Sequence, residues 1–239
     1  MSRLILVALL LQVGSAGGGL PVPVLVAADV PLVSRNVAGF SGDIVVNVQT
    51  DGSKVISADI PETVVRSLIQ SNLSTWRFGG GPGTTLEVLF KFASDDRRCQ
   101  GNENVSIAAQ LPLAIVITGP APGDCADPRA TSVSTRPQVV VTKAAYPIYP
   151  KDALNSRPVG DVVVHLSKAG HAQAPTGPSP ALRQAAISNA ETWRFLEPLP
   201  KDGLDIVYRF GLQSGDCVHS SPAIVAIDFP RRVEVAICR

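Results

Sequence analysis

A self-match runs along nearly the whole chain and constrains its fold more than any other feature. Gly42-Asp43-Ile44-Val45-Val46 aligns with Gly160-Asp161-Val162-Val163-Val164, and Gly52 with Gly170, at an offset of 118 residues. Trp76-Arg77-Phe78 meets Trp193-Arg194-Phe195 at an offset of 117, a shift that one deletion in the second helical region explains. Phe92 with Phe210, Cys99 with Cys217 and Pro112 with Pro230 then return to 118. A match of this period points to two copies of one supersecondary unit. The 239 residues suffice for two domains, each with its own core.

The local pattern of each copy is the same. Asp43 to Gln49 alternates and is rich in β-branched residues, Thr50-Asp51-Gly52-Ser53 supplies turn chemistry, and Lys54 to Ala58 reads as the return strand of a hairpin. From Pro61 to Trp76, Val65, Leu68, Ile69, Leu73 and Trp76 recur at helical spacing, with Pro61 suited to a first turn. The second helix is expected to start at Ser179-Pro180 and run through Leu182, Ala185, Ala186 and Ala190 to Trp193. A third strand follows, Thr84 to Phe92 in one copy and Leu204 to Phe210 in the other. Beyond each first cysteine come a further apolar strand, a corner at Leu111-Pro112 or Phe229-Pro230, and a last strand, Leu113–Thr118 or Val233–Ile237. The Pro-rich stretch from Gly119 to Pro137 separates the copies.

The ends and the cysteines place the chain. MSRLILVALLLQVGSA has a basic residue, an apolar run of ten residues and then small residues, the pattern of a signal peptide over residues 1–16. The run is shorter than the roughly 20 residues that span a bilayer, so a cleaved leader is the leading reading and an uncleaved anchor the alternative. The periplasm or the cell exterior is the expected location. Four cysteines, Cys99, Cys125, Cys217 and Cys238, suit an oxidising compartment, and four allow three pairings. A duplicated unit with its own staple would pair Cys99 with Cys125 and Cys217 with Cys238, an inference from copy membership. Loops of that size stabilise by roughly 3 kcal/mol in the chain-entropy model. Their spacing lacks the close pairs of a zinc site, so no metal is expected. A formal charge of +1 argues against nucleic-acid binding.

A strand of Gly-x-Val-x-Val character, a turn with glycine, a helix ending in Trp-Arg-Phe and a closing strand such as Val88-Leu89-Phe90-Lys91-Phe92 together resemble the C-terminal domain of TonB. The second copy adds Tyr146-Pro147 and Tyr149-Pro150-Lys151-Asp152-Ala153, similar to the family's Tyr-Pro-x-x-Ala lead-in, which the first copy lacks. The likeness covers roughly residues 40–92 and 146–210. It implies an α+β fold of two tandem β-β-α-β units, here extended by disulfide-stapled C-terminal strands, with boundaries at 20–128 and 129–239. It also implies pairing of an extended partner segment with the edge of the third strand, Leu204 to Phe210 or Leu86 to Phe92, placing partner contacts foremost at Leu204, Asp205, Ile206, Val207, Tyr208, Arg209 and Phe210. The physical basis is strand addition to unpaired backbone groups. The extra strands are foreign to the family pattern and would compete for that edge. A cleaved leader would also leave no inner-membrane helix to transmit force.

Other motifs carry less. No Gly-x-Ser-x-Gly, His-Glu-x-x-His or phosphate-binding glycine loop is present in the sequence. His165, His171 and His219 have no counterparts in the first copy, so an enzyme is not expected, nor a cofactor. Gly79 to Gly83 follows a helix, whereas a phosphate cradle precedes one. Trp76 and Trp193 read as core anchors, while Arg77 and Arg194 stay open between a functional role and bonding of local carbonyls or a carboxylate. Asn72-Leu73-Ser74 and Asn104-Val105-Ser106 match glycosylation acceptors, discounted because the resemblance is bacterial. The expected function is a non-enzymatic periplasmic binding or adaptor protein of envelope transport, pairing strands with an outer-membrane receptor or another envelope protein. Membrane contact would be indirect, and packing of the copies as a pseudo-dimer stays open. The alternative is a secreted, disulfide-stapled structural or interaction module without a transport role, whose sign would be extra strands capping strand three.

Overall fold

The computed structural model describes residues 23–32, 40–95, 106–111, 113–120, 139–213, 224–229 and 231–238. In chain order the elements are β1 (Leu25–Ala27), β2 (Gly42–Thr50), β3 (Val55–Asp59), α1 (Arg66–Ser74), β4 (Arg77–Phe78), β5 (Thr84–Asp95), β6 (Ser106–Gln110) and β7 (Ala114–Pro120). The second half continues with β8 (Val141–Lys143), a 3-10 turn (Lys151–Ala153), β9 (Gly160–Leu166), β10 (Ala172–Gln173), α2 (Pro180–Ala190), β11 (Arg194–Phe195), β12 (Leu204–Gln213), β13 (Ile224–Asp228) and β14 (Arg232–Cys238). The fold is mixed α and β, mostly sheet with two helices among the described residues.

The alternating strands behave as period-2 patterns require. In β2, Val46 and Val48 are buried while Val45, Asn47 and Gln49 face out; in β9, Val162 and Val164 are buried while Asp161, Val163 and His165 face out. The β2–β3 turn is held by Asp51, whose Oδ1 accepts from the Ser53 N–H (2.8 Å), the Ser53 hydroxyl (2.7 Å) and the Lys54 N–H (2.9 Å). Gly52 sits at φ +87°, and a Cβ there would lie 2.0 Å from the Gly81 carbonyl oxygen. The backbone of the glycine-rich loop is thus packed against the hairpin turn.

The helices differ from expectation at their starts. The first was expected from Pro61 and begins at Arg66; Thr63-Val64-Val65 lead in as a turn, and Val65 at the cap supplies no side-chain hydrogen bond. Consecutive β-branched residues are stiff at χ1 and poor helix starters. The second begins at Pro180 as expected, with the Ser179 hydroxyl accepting from the Leu182 N–H at 3.2 Å. Both tryptophans lie just past their helices, buried at 0% and 3% exposure.

One sheet of ten strands runs through both halves in the order β10-β9-β12-β14-β13-β6-β7-β5-β2-β3. Within each half, the hairpin and third strand are antiparallel, and the last strand lies parallel to the third: β7 beside β5, β14 beside β12. The halves meet where β6 pairs antiparallel with β13, from Ser106↔Asp228 to Gln110↔Ile224. The centre of that ladder is Ala108↔Ala226, two positions equivalent at the 118-residue offset. A second junction lies in the helical layer, where the bridge Asp29↔Ala145 joins the lead-in segments of the two halves. A single buried cluster reaches from Val46 and Trp76 through Ile107 and Ile227 to Trp193 and Tyr208.

Several expectations fall outside the described residues: the leader at 1–16, Cys99, Cys125 and Cys217, His219, Asn104, and the dividing point between residues 128 and 129. Cys238 closes β14.

Candidate functional site

The third strand, where the resemblance places partner contacts, is an interior strand. Leu204 to Phe210 pairs with β9 on one side, and from Val207 onward with β14 on the other. Leu204, Ile206, Tyr208 and Phe210 point into the core, at 3%, 0%, 0% and 2% exposure. Asp205, Val207 and Arg209 point outward, Val207 half-buried. Asp205 Oδ1 lies 2.8 Å from His165 Nδ1, while Arg209 bonds Asp161 through Nε (3.0 Å) and Nη2 (3.1 Å) and lies 3.9 Å from Glu234. The Arg209 guanidinium holds the Asp161 carboxyl below the ordinary aspartate range. A partner strand cannot bond the backbone of Val207–Phe210 while β14 is in place, because each strand has two edges and both are taken. The added strand β14, a competitor for this edge, thus occupies it from Val207 onward.

Both third strands nevertheless extend past their capping strands. Strand β14 begins its pairing at Val207, leaving Leu204, Asp205 and Ile206 with β9 alone among the described residues. Strand β7 begins at Leu89, leaving Thr84 to Val88 with β2 alone among the described residues. The Leu89 N–H donates to the Leu113 carbonyl at 2.9 Å and the Val207 N–H to the Arg231 carbonyl at 2.8 Å. Alternation along a strand then turns the backbone groups of Thr85, Glu87 and Asp205 to the same, uncapped side. Thr85 and Glu87 are exposed, with buried Leu86 and Val88 between and beside them. The first half therefore offers an open stretch of strand three longer than the second.

Behind each third strand, a buried polar lock fixes helix, tryptophan and lead-in segment. Asn72 Oδ1 accepts from Trp76 Nε1 (3.1 Å) and its Nδ2 donates to the Asp29 carbonyl (2.6 Å); Thr75 Oγ1 accepts from the Asp29 N–H (2.9 Å) and donates to the Asn72 carbonyl (2.7 Å). The second half repeats it with Asn189, Trp193, Ala145 and Thr192. There Asn189 Oδ1 also accepts from the Tyr208 hydroxyl at 2.9 Å, and burial raises that hydroxyl well above its ordinary pKa. The sequence reading missed these asparagines; Ser-Asn-x-x-Thr-Trp recurs in both copies and was the available signal. Burial of Asn72 also closes its glycosylation motif. Arg77 and Arg194 each direct one Nη1 at two carbonyls, those of Ser74 and Trp76 and those of Glu191 and Trp193, so both close a helix C-terminus.

Two other places carry little chemistry. A shallow groove of about 350 Å3 lies at the junction of the halves, where Lys143 and Asp29 neutralise each other at 3.2 Å. His165 and His171 are exposed, on a strand and in its turn. Among the described residues, no group of three or more His, Cys, Asp or Glu side chains is placed to hold a metal ion, and no helix is long and apolar enough to cross a membrane. No family model matches the sequence, and neither a curated protein nor a solved structure matches it.

Proposed function

We propose that this chain is an exported, non-enzymatic interaction module made of two units resembling the TonB C-terminal domain, each stapled by its own disulfide. It engages an extended segment of an envelope protein by strand pairing at the uncapped beginning of strand three, foremost Thr84–Val88. The supporting observation is the mismatch in length between β5 and β7: the chain's own strand covers the third strand only from Leu89 onward. An added strand there would bond the backbone groups of Thr85 and Glu87, and the exposed side chains of those residues would supply selectivity.

The capping strands favour a second reading, the structural or interaction module without a transport role. The two readings separate by in-cell photocrosslinking from Glu87 and Asp205, on the uncapped stretches, against Lys91 and Arg209, which lie between two strands. Capture of an envelope protein from Glu87 or Asp205, and not from Lys91 or Arg209, is the expected result. Intrachain products alone at all four positions would sink strand pairing and leave the structural module.

A further inference from the structure

We propose that the surface joining the two halves is a self-complementary docking surface for a second copy of this chain, so that two chains exchange halves. The argument begins with register. In the β6–β13 ladder, Ser106 faces Asp228 and Gln110 faces Ile224, and each of these pairs maps onto the other at the 118-residue offset. The ladder is therefore symmetric about Ala108↔Ala226, the arrangement of an isologous two-fold interface rather than of an arbitrary contact between domains.

The helical layer repeats this independently. Asp29 and Ala145 hold equivalent places, each receiving an asparagine Nδ2 at its carbonyl and giving its N–H to a threonine Oγ1. These same two residues form the bridge between halves, flanked by Val30 N–H to the Ala144 carbonyl (2.8 Å) and Tyr146 N–H to the Ala28 carbonyl (2.9 Å). Two junctions in two layers thus share one pseudo-two-fold relation. Neither needs its two halves to belong to one chain, and 18 residues, 121–138, connect the last strand described in one half to the first residue described in the other. Exchange would rebuild the same ladders, so the balance between closed and exchanged forms rests on chain concentration against the effective concentration set by the connector, on the order of millimolar for short linkers.

The outward-facing alanines at the centre allow a direct test on the full chain. One version carries Ala108→Lys and Ala226→Lys, the other Ala108→Glu and Ala226→Glu. Each places like charges opposite one another when closed, which destabilises a cross-strand pair. Exchange between the two versions sets Lys opposite Glu in both ladders, while Glu234, beside position 226 on β14, acts equally in the separate and mixed samples. The expected result is a species of twice the chain mass, about tenfold more abundant in the mixture than in either version alone. Should the charged versions not fold, unaltered chains with two different tags, concentrated together to about 1 mM and diluted, are expected to give a doubly tagged dimer. A mixture of folded charged versions that stays at single-chain mass overturns the proposal, as does the absence of doubly tagged species from unaltered chains.

Discussion

The two halves use one architecture with different reinforcement. Both seat a tryptophan under an asparagine that also binds the lead-in segment, and both place an aromatic ring edge-on against the third strand's last phenylalanine, Phe40 on Phe92 at 5.4 Å and Tyr149 on Phe210 at 5.9 Å. The second half adds a capped helix start at Ser179, the Tyr208–Asn189 bond and the outward ion pairs of Arg209. In the first half Val65 caps α1 without a side-chain bond, and Phe90, Lys91 and Val116 stand at the places of Tyr208, Arg209 and Glu234 and make none of these bonds among the described residues. The first half also leaves more of its third strand uncapped. The difference teaches that the shared apolar pattern and the asparagine lock specify the fold, while the added polar bonds are separable increments to one half.

The comparison breaks most forcefully at the lock. Replacing Asn189 with Ala leaves the Trp193 indole N–H, the Tyr208 hydroxyl and the Ala145 carbonyl without partners, and is expected to cost about 4 kcal/mol in denaturant unfolding. Asn72→Ala strands one group fewer and should cost about 3 kcal/mol. Tyr208→Phe, which gives the second half the ring that the first carries at Phe90, should narrow the gap by about 1 kcal/mol. A larger loss at Asn72 than at Asn189 would reverse the proposed order of reinforcement.

Smaller effects sharpen the contrast. Ser179→Ala removes the side-chain cap of α2 and is expected to cost about 1 kcal/mol, with faster amide exchange in the first turn of that helix and none of the change in α1. Arg209→Ala breaks a half-exposed pair with Asp161 and should cost less than about 1 kcal/mol, shrinking further in high salt. Lys91→Ala, at the matching site of the first half, should stay within about 0.5 kcal/mol. An effect at Lys91 as large as that at Arg209 would mean that the outward ion pairs of the second half contribute nothing of their own.

The legible part of this fold is the part written in periodicity. Alternation in β2 and β9, turn chemistry at Asp51-Gly52, the Ser179-Pro180 start and the proline-marked corners all place their elements within a few residues. The start of α1 was not legible because the apolar spacing from Val65 onward does not say where a β-branched turn gives way to helix. Strand order was less legible still. Nothing local in Val233–Ile237 says that it lies parallel to β12, since that choice depends on contacts distant in sequence, and this choice decides how much of Leu204–Phe210 stays open. The pairing of β6 with β13 is equally silent in the residues, although the repeat offset predicts its centre once the two strands are known to meet.

The last contrast lies in the hairpin turns and is read by acid. Asp51 bonds three donors in the first turn, whereas Ser167-Lys168-Ala169-Gly170 offers no carboxylate in the second. The bonds from the Ser53 side chain, then from the Lys54 and Ser53 backbones, hold the Asp51 carboxyl at about 2, against an ordinary value of 3.8. A carboxyl lowered on folding adds stability above its unfolded value and gives it up as pH falls toward its folded value. The melting temperature should therefore exceed that of Asp51→Asn by its full margin above about pH 4, and the two curves should converge between about pH 4 and 2. Amide exchange should locate that margin at Gly52 to Lys54 and leave the 167–170 turn unchanged. A gap that stays constant down to pH 2 would mean that the aspartate holds its turn by shape and hydrogen bonding that protonation does not disturb, and the two turns would then differ in sequence without differing in their response to acid.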